Sequence, residues 1–229
     1  MKAMILAAGR GERLRPLTDE TPKPLFKVAG KPLIEYHLLN LANAGFTDIV
    51  INTAWLANKI HETLGDGNRY GVSIQYSDEG VAQETAGGII NALSLLGNEP
   101  FLVVNGDICC DFDFSSLPDL KDKTQAHLVL VNNPEHNPAG DFAIAEGMLC
   151  NQGKPKYTYS GIGIYSPRFF SSSSQGVLPL APMLKKKAEK KLITAQRFTG
   201  LWTDVGSIER LHALEDVLSK KQSPSKHAI

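Results

Sequence analysis

Cysteine is scarce in this chain: only three of its 229 residues are cysteines. An odd number cannot complete a disulfide framework. Cys109 and Cys110 are adjacent, and one peptide step is shorter than the Cα separation that a disulfide requires. Together with Cys150 they match no metal-ligand spacing, and the six histidines show no paired spacing either. We therefore expect a reduced, cytoplasmic protein.

An excess of charge of either sign is also absent. The 24 Lys and Arg residues balance the 24 Asp and Glu residues, so the formal net charge is zero. This balance argues against broad electrostatic capture of nucleic acid or of an anionic membrane. No apolar run approaches the roughly 20 residues that cross a bilayer, and the run 3–8 is too short for a signal peptide. We expect neither a nucleic-acid partner nor a membrane partner.

Short apolar runs alternate with helical patterns, which is typical of βαβ units in an α/β fold. The patterns predict strands at 3–8, 48–52, 72–76, 101–104, 126–131, 142–145, 158–165 and 192–196, and helices at 32–44, 55–64, 86–96, 180–191 and from Ser207 onward. We predict a Rossmann-like, open, mostly parallel mixed sheet flanked by helices. No repeat or linker interrupts it, so we expect one domain over residues 1–219 and a disordered polar tail over 220–229.

Gly9 and Gly11 directly follow the first predicted strand, where glycine lets the backbone turn and approach an anion. A P-loop is excluded because no Gly-Lys-Ser/Thr follows at the required spacing. A dinucleotide fingerprint is excluded because Leu14 occupies the position of the third glycine. Prolines at 16, 22 and 24 also forbid a helix there. A plain strand-to-loop turn is the alternative.

The same loop is rich in cations on a path stiffened by prolines. Its five basic residues are Arg10, Arg13, Arg15, Lys23 and Lys27. They follow the carboxyl end of a first strand, which is where open α/β sheets bind ligands. The cluster suits a polyphosphate, and the alternative is a solvated basic loop.

Several motifs in this order resemble those of sugar-1-phosphate nucleotidyltransferases. They are LAAGRGERLRPLT at 6–18, TPKPL at 21–25, ETAGG at 84–88, NGD at 105–107 and WTDVG at 202–206. The resemblance covers nearly the whole chain and implies the nucleotide-diphospho-sugar transferase type of fold. The length, without a C-terminal β-helix, and the motifs EYH at 35–37, GDF at 140–142 and SG at 160–161 resemble the N-acetylmuramate α-1-phosphate uridylyltransferases.

The resemblance implies attack of a sugar 1-phosphate oxygen on the α-phosphorus of UTP, with release of pyrophosphate. N-acetylmuramate α-1-phosphate would become UDP-N-acetylmuramate. A phosphate monoester is already ionised near neutrality, so the reaction needs no general base. The resemblance assigns Arg13 to the β and γ phosphates and Lys23 to the α-phosphate, both as catalytic residues. Asp107 and Asp204 would complete the catalytic set by holding Mg²⁺. A turn aspartate and an N-cap-like aspartate are the alternatives for these two.

Substrate-binding residues are also carried over by motif. The resemblance implies that the nucleotide contacts the glycine loop and the turn before a predicted helix: Ala7, Ala8, Gly9, Gly11, Arg13, Lys23, Gln83, Thr85, Ala86 and Gly87. Backbone groups of Ala86 and Gly87 would pair with the base. The sugar would contact Asn105, Gly140, Asp141 and Ser160. A Glu-Lys-Pro motif of larger relatives is Gly153-Lys154-Pro155 here, which leaves the role of Lys154 open.

Two other functions stay open on the sequence. One is a mannose- or glucose-1-phosphate nucleotidyltransferase that uses GTP or dTTP, because base choice rests on few hydrogen bonds. The other is a non-catalytic regulatory subunit that binds a sugar nucleotide. The presence together of Arg13, Lys23, Asp107 and Asp204 favours the enzyme. The sequence does not indicate an oligomeric state.

Overall fold

The computed structural model describes residues 1–121 and 123–222, in which strands and helices alternate through the first half. The strands are β1 (Ala3–Leu6), β2 (Lys27–Val28), β3 (Lys31–Pro32), β4 (Asp48–Thr53), β5 (Ser73–Asp78), β6 (Phe101–Asn105), β7 (Ile108–Cys110), β8 (Ala126–Val131), β9 (Phe142–Ala145), β10 (Met148–Cys150), β11 (Lys156–Tyr165), β12 (Ile193–Phe198) and β13 (Trp202–Asp204). The helices are α1 (Leu17–Glu20), α2 (Leu33–Asn43), α3 (Ala57–Leu64), α4 (Glu84–Leu96), α5 (Leu180–Glu189) and α6 (Ile208–Gln222).

The central sheet has nine strands in the order β5-β4-β1-β6-β11-β8-β12-β10-β9. The first four strands are mutually parallel. Strand β11 is antiparallel to β6 and β8, and β10 is antiparallel to β12 and β9, so the remaining strands share one direction. The predicted α/β fold with a mostly parallel mixed sheet is confirmed.

Side chains alternate between the two faces of the sheet, as the period of a β-strand requires. On one face, Ile5 and Ile51 belong to the apolar core that also includes Leu38 of α2 and Ile60 of α3. On the other face, Met4 belongs to the core that includes residues of α4 and α5. Helices therefore cover both faces, which explains why the parallel strands are continuous apolar runs.

A third, smaller core fixes the last helix to the glycine loop. Leu14 is buried and packs in one cluster with Phe26, Val205 and Leu214 of α6. This cluster brings the WTDVG segment beside the loop that follows β1. Helix α6 continues to Gln222, beyond the predicted start of the tail, and residues 223–229 lie outside the described residues.

Two local expectations differ from the structure. The proline-rich stretch does contain one short helix, α1, because Leu17–Glu20 fits a single turn between Pro16 and Pro22. Strand β1 ends at Leu6 rather than at residue 8, which leaves Ala7 and Ala8 in the loop. Within the described ranges, no helix is long and apolar enough to span a membrane.

Candidate functional site

A pocket of about 360 Å³, here called the central pocket, opens at the carboxyl ends of the parallel strands. The loop after β1, the ends of β4 and β6, and the start of α4 form its walls. Its lining includes Leu6, Ala7, Ala8, Gly9, Gly11, Lys23, Asn52, Glu79, Gln83, Glu84, Thr85, Asn105 and Asp107. Seven of the ten residues that the resemblance assigns to the nucleotide line this pocket. The exceptions are Arg13, Ala86 and Gly87.

A buried polar network holds opposite walls of the central pocket together. The Ala7 N–H donates to Asn52 Oδ1 at 2.9 Å, and Asn52 Nδ2 donates to Glu79. Glu79 Oε2 in turn accepts the Gln83 N–H at 2.8 Å. Asn52 is buried, so these bonds are shielded from water. The network fixes the glycine loop against the turn that opens α4.

Lys23 supplies the positive charge of this pocket. Its side chain is 11% exposed, and its ammonium lies 2.6 Å from Asp107 Oδ2. Gly11 has a φ of +67°, and a Cβ there would lie 2.9 Å from Thr18 Cγ2 and 3.5 Å from Lys23 Cβ. Glycine thus lets the loop close over the lysine stem. A desolvated ammonium beside a phosphate-sized pocket can stabilise negative charge strongly.

The other cations of the loop do not converge on the central pocket. The Arg10 guanidinium stacks over the Trp55 ring at 4.3 Å, and Arg15 forms an ion pair with Asp19 at 2.9 Å. Lys27 is exposed on β2. Within the described structure, Lys23 alone among the five basic residues of the loop lines this pocket.

Arg13 belongs to a second group beside the pocket, which we call the arginine cluster (Arg13, His136, Asp204, Gly206 and Arg210). The Arg210 Nη1 donates to both Asp204 oxygens at 2.6 and 2.7 Å, and His136 Nε2 lies 3.3 Å from Asp204 Oδ1. A Cβ at Gly206 would clash with Arg210 and lie 3.2 Å from Arg13 Nη2. The lack of a Cβ at Gly206 leaves room for both guanidinium groups beside this backbone.

The two carboxylates predicted to hold metal lie on neighbouring backbones. Strands β7 and β13 pair antiparallel, and the Val205 N–H donates to the Asp107 carbonyl at 2.7 Å. Each carboxylate is already in an ion pair, with Lys23 or with Arg210. The described residues contain no group of three or more His, Cys, Asp or Glu side chains arranged for a metal. Two carboxylates still fit Mg²⁺, because this ion commonly takes one or two protein oxygens beside water and substrate phosphates.

A second pocket of about 670 Å³, here called the lateral pocket, adjoins the first and shares Glu84, Thr85 and Asn105 with it. Its other lining residues come from β9, the β10–β11 connection, β11 and α5: Gly140, Asp141, Phe142, Asn151, Gln152, Lys156, Tyr159, Pro179, Leu180, Ala181, Leu184, Lys185 and Glu189. Asn105, Gly140 and Asp141 are thus brought together as the sequence predicts. Lys154 is exposed and lies outside this lining, whereas Lys156 is part of it.

Hydrogen bonds already occupy part of the predicted sugar-binding set. Asp141 accepts from the Tyr159 N–H at 2.8 Å and from Asn137 Nδ2 at 3.2 Å. The Gly140 N–H, expected to meet a sugar hydroxyl, donates instead to the Asn137 carbonyl at 3.1 Å. Asp141 therefore also fixes the shape of this wall.

Ser160, assigned to the sugar by resemblance, lies inside the sheet and is not in the lining of the lateral pocket. Its Oγ donates to the Val129 carbonyl at 2.7 Å and accepts the Ile162 N–H at 3.1 Å. The side chain is buried at an irregularity of the β11–β8 pairing between Tyr159 and Ile162. Its hydroxyl satisfies backbone groups that this irregularity leaves without ladder partners.

The backbone N–H groups of Ala86 and Gly87 already have an acceptor in the structure. Their N–H groups both donate to the Leu178 carbonyl, at 3.0 and 3.1 Å, and the Leu178 N–H donates to the Gln83 carbonyl. The donors expected to pair with a base are therefore occupied. The side chain of Gln83 remains in the lining, and its Oε1 is buried with no hydrogen-bond partner among the described residues.

Some residues of the site carry little signal in the sequence. Asn52 could have been noticed as a polar residue ending an apolar strand. Lys156, Lys185, His136 and Arg210 belong to no motif, and only the tertiary structure brings them to the pockets.

Two buried groups behind the site, His37 and Cys110, have pKa values that burial shifts strongly. Burial lowers the pKa of His37, which lies behind β7, to about 4, so this imidazole is neutral at physiological pH. Burial raises the pKa of the Cys110 thiol to about 12, which leaves it unreactive. The arrangement is suited to binding and polarising a polyanion through fixed charges.

Comparison with known proteins gives a consistent result. A family model described as nucleotidyl transferase matches residues 2–221. Over 92% of its length the chain is 54% identical to the N-acetylmuramate alpha-1-phosphate uridylyltransferase of Neisseria meningitidis serogroup B, of which it covers 95%. Over 95% of its length it is 32% identical to the enzyme of the same name from Caulobacter vibrioides, of which it covers 97%.

A solved structure with lower identity has the same fold. UDP-glucose pyrophosphorylase, in complex with UDP-glucose, matches with a TM-score of 0.76 and 21% identity, covering 97% of this chain and all of the other. The family model spans almost the whole sequence, and both relatives are matched over nearly their full length. The chain therefore belongs to the nucleotidyl transferase family.

Proposed function

We propose that this protein transfers the uridylyl group of UTP to N-acetylmuramate α-1-phosphate, which yields UDP-N-acetylmuramate and pyrophosphate. The observation that carries the proposal is the 54% identity to the Neisseria enzyme of that name over 95% of its length. The two adjoining pockets support it, because the reaction needs one site for the triphosphate and another for the sugar.

The bond changes are those of an in-line displacement at phosphorus. A phosphate oxygen of the sugar 1-phosphate forms a new bond to the α-phosphorus of UTP, while the bond from that phosphorus to the β-phosphate oxygen breaks. The electron pair of the broken bond leaves with pyrophosphate. The attacking oxygen is already an anion, so the protein's task is to align two polyanions and offset their charge.

Lys23 and Arg13 would perform this electrostatic task. The Lys23 ammonium faces the central pocket from a buried position, where it would stabilise charge at the α-phosphate. Arg13 lies beside Gly206, at the edge of the same loop, where it would neutralise the β and γ phosphates. Charges fixed in place before the reaction need no reorganisation in the transition state.

Asp107 and Asp204 would hold Mg²⁺, for which they offer oxygen ligands from neighbouring backbones. When bound, the ion would neutralise charge on the phosphates. Lys23 pairs with Asp107 and Arg210 with Asp204, so an ion held there would share these carboxylates with the two cations.

The substrates would follow the two pockets. Ala7, Ala8, Gly9 and Gly11 would line the nucleotide, together with Gln83 and Thr85 from the opposite wall. Asn105, at the junction of the pockets, and Gly140 with Asp141 would line the sugar. Ala86, Gly87 and Ser160 would contribute through the backbone shape that they maintain. Residues 1–219 would form this catalytic domain, and the scarcity of cysteine supports a cytoplasmic location.

A matrix of substrates tests the proposal. Pyrophosphate release is measured with Mg²⁺ for UTP, dTTP, GTP, CTP and ATP, each against N-acetylmuramate, N-acetylglucosamine, glucose and mannose 1-phosphates. We expect the highest kcat/KM for UTP with N-acetylmuramate 1-phosphate. A higher value for GTP with mannose 1-phosphate, or for dTTP with glucose 1-phosphate, would keep the reaction and overturn the substrate. Binding of UTP without pyrophosphate release in any pair would favour a regulatory subunit.

A further inference from the structure

Two lysines in the lateral pocket have no role in the reaction described above. Lys156 and Lys185 are the cations of its lining, and they approach from different elements, β11 and α5. Neither ammonium has a hydrogen bond or an ion pair with another residue in the described part of the chain. A lysine without a partner at a ligand pocket is available to an anion.

Lys156 is held in place by its backbone. It is the first residue of β11, pairs with Ala143 of β9, and its carbonyl accepts a hydrogen bond from Asn133 Nδ2 at 3.0 Å. The residue is half-buried, so part of its side chain packs against the protein. It lies in the same lining as Gly140 and Asp141, the residues proposed for the sugar, and outside the lining of the central pocket.

Lys185 is the one member of a lysine run that faces this pocket. Helix α5 directs Ala181, Leu184 and Lys185 into the lining, at the spacing of one helical stripe. The next residues diverge: Lys186 is exposed outside the lining, and Lys187 donates to Gln125 Oε1 at 2.6 Å. The Lys185 carbonyl accepts from Asn151 Nδ2 at 2.9 Å, which ties the β10–β11 connection to the helix.

The carboxylates of the lateral pocket do not neutralise these lysines. Asp141 accepts two hydrogen bonds from its own wall, and Glu189 receives one from Asn151 at 3.4 Å. Glu84 lies on the wall shared with the central pocket. Lys156 and Lys185 are therefore the groups of this pocket that can pair with negative charge on a ligand.

We propose that Lys156 and Lys185 recognise a carboxylate on the sugar, and so select an acidic sugar 1-phosphate over its neutral-sugar analogue. This inference rests on the proposed function. N-acetylmuramate differs from N-acetylglucosamine by one lactyl ether, which carries a carboxylate. The phosphate group is common to both substrates, so only the lactyl carboxylate gives the two lysines a way to distinguish them.

The test compares these two substrates in matched variants. We measure kcat/KM with UTP for N-acetylmuramate 1-phosphate and N-acetylglucosamine 1-phosphate in the wild type, in Lys156→Gln, in Lys185→Gln and in the double variant. We expect the ratio of the two values to fall about tenfold for Lys156→Gln, and less for the more exposed Lys185→Gln. The Lys185→Arg variant, which retains the charge, should retain the ratio. Lys186→Gln, one residue along the same helix, is the control and should match the wild type.

The outcomes separate this inference from the proposed function. If the wild type does not use N-acetylmuramate 1-phosphate, the proposed function fails, and the inference fails with it. If the wild type uses it and the double variant keeps the same ratio, the proposed function stands and the lysine assignment is overturned. An equal fall in kcat/KM for both substrates would indicate that the lysines bind the phosphate that the substrates share. This result would also overturn the assignment.

Discussion

The two pockets of this protein differ in whether their lysines are already paired. In the central pocket, Lys23 is bonded to Asp107, and Asn52 is bonded to Ala7 and Glu79. In the lateral pocket, Lys156 and Lys185 have no such partners among the described residues. Paired groups give a rigid site whose geometry exists before the ligand arrives, which suits a reaction step common to a whole family. Unpaired lysines suit recognition of one particular ligand.

Substitution of carboxylates should give the largest difference in kcat between the two pockets. We expect Asp107→Asn to lower kcat about 10³-fold, because it replaces an anionic oxygen ligand of Mg²⁺ with a neutral amide. Asp204→Asn should lower kcat by a similar factor. Both are measured by pyrophosphate release over a Mg²⁺ titration, with circular dichroism to verify folding. Asp141→Asn in the lateral pocket serves as the comparison and should lower kcat far less. Near-normal rates for Asp107→Asn and Asp204→Asn at limiting Mg²⁺ would contradict the metal assignment.

The second largest effect on kcat is expected for substitution of Lys23. Lys23→Ala is expected to lower kcat about 10²-fold with a smaller change in UTP binding, because its charge matters most as the transition state forms. Single-turnover kinetics and calorimetric titration with UTP separate the two effects. The exposed Lys27→Ala is the control within the same loop. A loss in UTP affinity alone, with kcat unchanged, would assign Lys23 to ground-state binding instead.

Removal of the central network should affect stability. Asn52→Ala leaves the Ala7 N–H without its acceptor and removes one of the two donors to Glu79, at a cost of about 3 kcal/mol in the free energy of unfolding. The matched change in the lateral pocket, Asn151→Ala, removes bonds nearer to solvent and should cost less than about 1 kcal/mol. Urea denaturation measures both. Equal losses would mean that the two pockets are equally preorganised.

The pH dependence of stability gives the smallest expected effect. His37 has a folded pKa of about 4, below its ordinary 6.5. As the pH falls below 6.5, the unfolded chain binds a proton that the folded chain does not, so stability decreases toward pH 4. From pH 6.5 to 5 the loss is about 2 kcal/mol for this group. Urea denaturation across this range should show a shallower pH slope for His37→Gln than for the wild type. An unchanged slope would remove His37 as the cause, and the exposed His212→Gln serves as control.

The sequence was sufficient for the framework of the fold. Apolar runs such as Phe101–Asn105 predict their own strands, because burial on both faces requires them to be apolar throughout. The glycine loop and its Lys23 were also predictable, since they follow the first strand at the carboxyl edge of the sheet. The short strands β7 and β13 were not, because three residues give no clear periodicity and their pairing joins distant segments.

The details of the site depended on contacts between distant residues. The N–H groups of Ala86 and Gly87 are occupied by Leu178, about ninety residues away along the chain, and no local pattern indicates that bond. The ion pair between Asp204 and Arg210 forms across the start of α6, and a motif reading gives Asp204 no such partner. Motifs thus predicted which residues gather at the site, and the tertiary structure determined which of their polar groups remain available.

The central claim is that the uridylyl group moves intact from UTP to the sugar phosphate. Its most direct test uses UTP radiolabelled either at the α-phosphorus or at the γ-phosphorus, with N-acetylmuramate α-1-phosphate and Mg²⁺, and separates the products by chromatography. We expect the α label in UDP-N-acetylmuramate and the γ label in pyrophosphate. The γ label in orthophosphate, or the α label retained in free uridine nucleotides, would contradict nucleotidyl transfer by this protein.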